Sequence, residues 1–113
     1  MTRQVRNINF FGVMDIDPKQ HKKLVDACKR FGIRELYAFG SLASGNLKPE
    51  SDVDFLVDFQ REGFAGSFDQ YMDFKSELEM IMGRPVDLVS RKKIRNPLFR
   101  DEVEKNKAFI YAA

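Results

Sequence analysis

The chain has 113 residues, 43% of them apolar, with eleven phenylalanines and a formal net charge of +2, which predicts one domain able to bury a core without disulfide or metal staples. A pI near 8.7 is too mild to mark a nucleic-acid binder by bulk charge, and a lone Cys28 with a lone His21 excludes an internal disulfide and a zinc cluster. No apolar run is long enough to span a bilayer and no continuous apolar segment backs the basic residues of the N-terminus, so the reading is a cytoplasmic protein with no membrane partner.

Residues 1–16 read as an N-terminal extension whose structure stays open, because Gly12 interrupts Ile8, Phe10, Phe11, Val13 and Met14. A single domain is expected over residues 17–113. Asp17-Pro18-Lys19-Gln20 is a helix start: Asp caps, Pro occupies the first helical position, and Gln reaches back to the cap. Leu24, Val25, Cys28 and Phe31 fall on one stripe, and Gly32 ends the helix. Cys28 on that stripe reads as a small core residue rather than a nucleophile, and His21 as a surface or half-buried helix residue rather than a base.

Ile33 to Phe39 is a predicted strand. Gly40 then allows a tight turn in which Ser41 begins a short helix or turn reaching about Gly45, and free N–H groups at such a start, beside a serine hydroxyl, suit a triphosphate. Asn46 to Ser51, with Pro49, is a loop that brings the chain back. The run from Ser51 to Phe59 alternates as a strand, so Asp52, Asp54 and Leu56 share a face. It is expected antiparallel to the first strand, since the end of one and the start of the other must meet. Like charges about 7 Å apart along a strand are costly to desolvate unless a hard cation such as Mg²⁺ neutralises them. Asp58, on the same face, reads as a solvated charge at the strand's end.

Arg61 to Ser67, with Gly63 and Gly66, is predicted to be a mobile loop flanking the site. Phe68 to Met82 is a helix offering Phe68, Tyr71, Met72, Leu78, Ile81 and Met82 to the core, stopped by Gly83. Pro85 to Val89 is a strand with one acid, Asp87. If it lies parallel to the Asp52 strand, joined by a right-handed helical crossover, Asp87 arrives at the same end as Asp52 and Asp54. Arg91, Lys92, Lys93 and Arg95 read as a solvated turn, with a surface for phosphate or an acidic partner as the alternative. Asn96-Pro97 starts a last helix that runs to near Lys105, and Ala108 to Tyr111 adds an edge strand.

Gly40-Ser41, ten intervening residues, Asp52-Val53-Asp54, then a later strand carrying Asp87, resembles the DNA polymerase β-like nucleotidyltransferase superfamily. The fuller wording, Phe39 to Gly45 with Ser51 to Val57, is similar to the minimal nucleotidyltransferases, MntA-like antitoxins encoded beside HEPN toxins. That resemblance continues through Gly83 to Val89 and Asn96-Pro97-Leu98 to Tyr111. It implies an α+β (α/β-like) fold, a small mixed β-sheet flanked by helices. It implies Asp52, Asp54 and Asp87 as catalytic, metal-holding acids for two Mg²⁺ ions, with Gly40 and Ser41 binding the triphosphate of a nucleotide, ATP foremost. The implied acceptor is a tyrosine of a HEPN toxin in a hetero-oligomer. No residues are left over for an acceptor-holding domain, so the acceptor is expected on a docked partner, and nucleic acid is not expected as a direct substrate. The family usually carries Arg where this chain has Ser44, with Lys48 nearby as a partial replacement of its charge. Two alternatives stand beside transfer to a toxin: a catalytically idle antitoxin that works by occlusion, favoured by Ser44, and a small-molecule, aminoglycoside-type nucleotidyltransferase.

Overall fold

The computed structural model describes residues 16–60 and 67–113. The expectations placed on most of the N-terminal extension and on the loop from Arg61 fall outside the described residues.

Helix α1, Pro18–Arg30, begins as its sequence dictates. The Asp17 carboxylate accepts from the Gln20 N–H at 2.8 Å while the Asp17 N–H donates to Gln20 Oε1 at 3.2 Å, satisfying two amides that the first turn would otherwise leave open. Strand β1 follows, Ile33–Phe39, then the short helix α2, Gly40–Ser44, and strand β2, Val53–Phe59. The crossover helix α3 spans Ser67–Met82, strand β3 Val86–Ser90, a 3₁₀ turn Arg91–Lys93, helix α4 Pro97–Asn106, and strand β4 Ala108–Ala112. The four strands form one mixed sheet in the order β3-β2-β1-β4. β1 is antiparallel to both β2 and β4, and β2 is parallel to β3, so the expected sheet, its crossover and its edge strand are all present.

The two faces of this sheet differ. Val53, Phe55, Val57 and Phe59 of β2 with Leu36 and Ala38 of β1 point toward α1 and α3, where they meet Leu24, Ala27, Cys28, Phe74 and Leu78 in the main core. Ile16 is buried in the same cluster. Burying such side chains stabilises by about 1.5–3 kcal/mol each. The opposite face carries the other half of each strand's alternation. There Leu56 with Ile94 and Val103 makes a smaller cluster, against which Tyr37, Phe39 and Val89 pack.

Several expectations are corrected. In α3 the buried stripe runs through Phe74, Leu78 and Met82, whereas Phe68 is 73% exposed and Met72 40%. Phe74, not Phe68, meets the rings of Phe31 and Phe59, at 5.6 and 6.1 Å. The spacing 74, 78, 82 is one helical stripe, and Phe68 lies nearly two turns before it. Asp58 is not a solvated charge but is 7% exposed, because it pairs with Glu35 of β1 and the 3₁₀ turn packs against this end of β2. Lys92 Nζ approaches it at 3.5 Å and Arg34 at 4.0 Å, yet its Oδ1 finds no hydrogen-bond partner among the described residues. The basic turn is likewise not simply solvated. Arg91 donates to Glu35 at 2.6 Å and grips Glu104 with two nitrogens, at 3.0 and 3.1 Å, tying β1 to α4 from the chain between them.

Candidate functional site

The strand pairing determines which side chains meet. Phe39 pairs with Asp54 across the antiparallel β1–β2 ladder, and Asp54 pairs with Asp87 across the parallel β2–β3 ladder. Partners in neighbouring strands project to the same face about 5 Å apart. The C-terminal end of β1 and the N-terminal ends of β2 and β3 thus coincide at one edge, on the lightly covered face. Asp52 stands just before β2, exposed, as is Asp87, while Asp54 between them is half-buried.

Asp54 records this crowding electrostatically. Its carboxyl is pushed above the usual aspartate range first by burial, then by the charge of Asp87 and that of Asp52. Asp54 therefore lies within the influence of both other acids, and a cation would relieve that repulsion. Among the described residues no three His, Cys, Asp or Glu side chains are arranged, as they stand, to hold a metal ion. That is compatible with Mg²⁺, which is held through one or two carboxylates together with substrate phosphates and water. The donor set is all oxygen and hard, and two of its members are exposed enough to turn onto an ion.

Gly40 faces the acids from the end of β1. It has φ +68°, and a Cβ built on it would lie 2.5 Å from Asp54 Oδ2, so glycine is required here both by backbone conformation and by the approach of the carboxylate. The Phe39 side chain does not cap α2, which leaves the amides of its first turn without that acceptor. Ser41 is half-buried beside them. Ser44, in the position where the resemblance leads one to expect Arg, turns its hydroxyl back to Ser41 O at 3.2 Å and accepts from Asn46 at 3.2 Å.

A cleft of about 500 Å³ opens beside Gly40, between α2 and α4. Phe39, Ala43 and Ser44 line one side, and Phe99, Glu102, Val103 and Asn106 the other. No sequence pattern paired these two helices. The spacing 99, 102, 103, 106 is a helical face, and that was the available signal. Arg84 and Glu79 were also missed: Arg84 holds the loop before Asp52, and Glu79 accepts from the Val86 N–H at 3.0 Å at the entry to β3.

A mixed sheet that gathers three acids at one edge, opposite a glycine-serine helix start, defines a nucleotidyl-transfer enzyme. The chain belongs to the nucleotidyltransferase domain family, whose model matches residues 21–110. It is 38% identical over 76 residues, 67% of this chain and 72% of the relative, to the protein adenylyltransferase MntA of Thermococcus cleftensis. A Methanocaldococcus jannaschii chain named as a candidate protein adenylyltransferase is 32% identical over 92 residues, 81% of this chain and 89% of its own length. Among solved structures, a candidate minimal nucleotidyltransferase superposes with TM-score 0.67 at 28% identity, covering 79% of this chain and 87% of that one. The fold is also that of the MNT antitoxin solved in complex with a tri-AMPylated Shewanella oneidensis HEPN toxin, with TM-score 0.59 at 14% identity, covering 83% of this chain and 71% of that one.

Cys28, buried in the main core, has its thiol pushed up to about 12 by desolvation, as suits a packing residue without nucleophilic character.

Proposed function

We propose that this nucleotidyltransferase is a Mg²⁺-dependent protein adenylyltransferase that moves AMP from ATP to a tyrosine hydroxyl of a HEPN-type toxin, acting as its antitoxin within a hetero-oligomer. The observation that carries the reading is the shared edge at which Asp54 pairs with Asp87, feels Asp52, and touches the space reserved by Gly40. The kinship to MntA and the fold shared with an antitoxin bound to its AMPylated toxin support the choice of nucleotide and partner.

In this account Asp52 and Asp54 would hold two Mg²⁺ ions, with Asp87 joining them at one. Bound Mg²⁺ supplies a lowered pKa at the attacking hydroxyl and charge neutralisation for the triphosphate and the departing pyrophosphate. Gly40 and Ser41 hold the triphosphate through the amides of α2. Asp87, at the outer strand and exposed, takes the proton from the acceptor tyrosine. The tyrosine oxygen bonds to the α-phosphorus, the bond from that phosphorus to the bridging oxygen breaks, and pyrophosphate carries off the electron pair. The products are tyrosyl-AMP, pyrophosphate and one proton.

A second reading, neutralisation by occlusion with an idle site, draws on Ser44. Its hydroxyl is spent on α2 itself, so the position offers no cation to the phosphates. Incubation with ATP labelled at the α-phosphate, Mg²⁺ and the toxin separates the two. Transfer predicts covalent label on the toxin, lost when its acceptor tyrosine is replaced by Phe. A toxin that is bound and inhibited but carries no label would leave occlusion as the function.

A further inference from the structure

The three acids reach one edge by unequal routes. Asp54 and Asp87 are fixed by strand pairing, but Asp52 lies outside β2, at the end of a loop. We infer that Arg84, which has no part in the transfer chemistry, is the positioning residue that sets Asp52 against Asp87 and so determines how tightly the site takes a divalent cation. The inference rests on the metal-holding role proposed above.

The geometry is specific. Arg84 Nη1 donates to Lys48 O at 2.8 Å and to Ser51 O at 3.1 Å, and the second of these carbonyls belongs to the peptide that joins Ser51 to Asp52. The turn does not need Arg84 to close. Ser51 N–H already donates to Lys48 O at 3.0 Å, and Lys48 N–H to Ser51 Oγ at 3.2 Å. What the guanidinium adds is a link from that turn to the entry of β3. Two neighbouring contacts fix the same entry: Val53 N–H donates to Pro85 O at 3.0 Å, and Val86 N–H donates to Glu79. Arg84 is thus the side chain that couples the backbone leading into Asp52 to the strand that carries Asp87. Both bonds come from the one nitrogen Nη1, whose two N–H groups serve two carbonyls at once.

The test is Mn²⁺ binding by the purified full chain, read from the electron paramagnetic resonance signal of the free ion, with pyrophosphate release as a function of Mg²⁺ as a second readout. Arg84→Ala is expected to weaken Mn²⁺ binding by about 10- to 100-fold, the range for partners that orient metal ligands. Excess Mg²⁺ should restore its pyrophosphate release, whereas Asp54→Asn should stay inactive at any Mg²⁺. Arg84→Lys, which keeps the positive charge and an N–H donor head but on a differently shaped and shorter-reaching group, is expected to fall between Arg84→Ala and the parent, and it carries the comparison if Arg84→Ala does not fold. An Arg84 variant that melts earlier but binds Mn²⁺ like the parent would make the contact merely structural and overturn the inference. If Asp54→Asn also binds Mn²⁺ like the parent, the metal site itself is misplaced, and the inference falls with it for a different and recognisable reason.

Discussion

The two faces of the sheet are stabilised by different physics. Toward α1 and α3 the contacts are apolar and closed, with Leu24, Leu36, Phe55, Phe74 and Leu78 fully buried. Toward α4 the sheet carries charge at both ends. The acids Asp54 and Asp87 open to solvent at one edge, Leu56, Ile94 and Val103 fill the middle, and Glu35, Asp58, Arg91 and Lys92 are gathered at the other end. The closed face supplies the stability that allows three like charges to be held near one another on the open face. A site that binds a cation and phosphates must stay incompletely neutralised until they arrive, and such a site detracts from the stability of the empty protein.

The sharpest way to break the comparison is to damage the closed face. Phe74→Ala should destabilise by about 3–5 kcal/mol, measured by denaturant unfolding, while the molecules that remain folded keep their transfer activity per mole. Gly40→Ala strikes the open face. It forces a Cβ toward Asp54 Oδ2 and a left-handed backbone on alanine, for a loss of about 1–3 kcal/mol, and unlike Phe74→Ala it should also depress pyrophosphate release per folded molecule. Arg91→Met tests the charged end. It unties Glu35 and Glu104, which are themselves only partly buried, so a loss of about 1 kcal/mol in the same unfolding assay is expected, with added salt narrowing the difference from the parent.

How much of this could be read in the sequence follows the same division. Local chemistry was legible. Asp17-Pro18 with Gln20, Gly32, and Asn96-Pro97 act within a few residues, and the elements start or stop where they indicate. The convergence of Asp54 and Asp87 was legible too, because strand alternation and a crossover of adequate length leave few other arrangements. What stayed hidden depends on which strand is central and which surfaces meet. Asp58 looked like a free strand end until β1 paired with it and Lys92 of the 3₁₀ turn closed on it, and Arg91 looked solvated until Glu35 and Glu104, distant in sequence, came within reach. Arg84 was passed over for the same reason, since its partners lie more than thirty residues away.

The central claim is that Asp52, Asp54 and Asp87 are held together against their own repulsion in readiness for a divalent cation, and the thermal midpoint of Asp54→Asn against that of the parent tests it most directly. Because the fold raises the Asp54 pKa, the native state binds that proton more tightly than the unfolded chain does. The contribution of Asp54 to stability therefore declines as pH rises from the ordinary aspartate value through the raised one. In a chelator at neutral pH, Asp54→Asn should consequently melt above the parent, and the gap should close as pH falls through that window. Adding Mg²⁺ should raise the parent's midpoint and leave the variant's unchanged. Equal midpoints in chelator, together with an identical response of both proteins to Mg²⁺, would contradict the account.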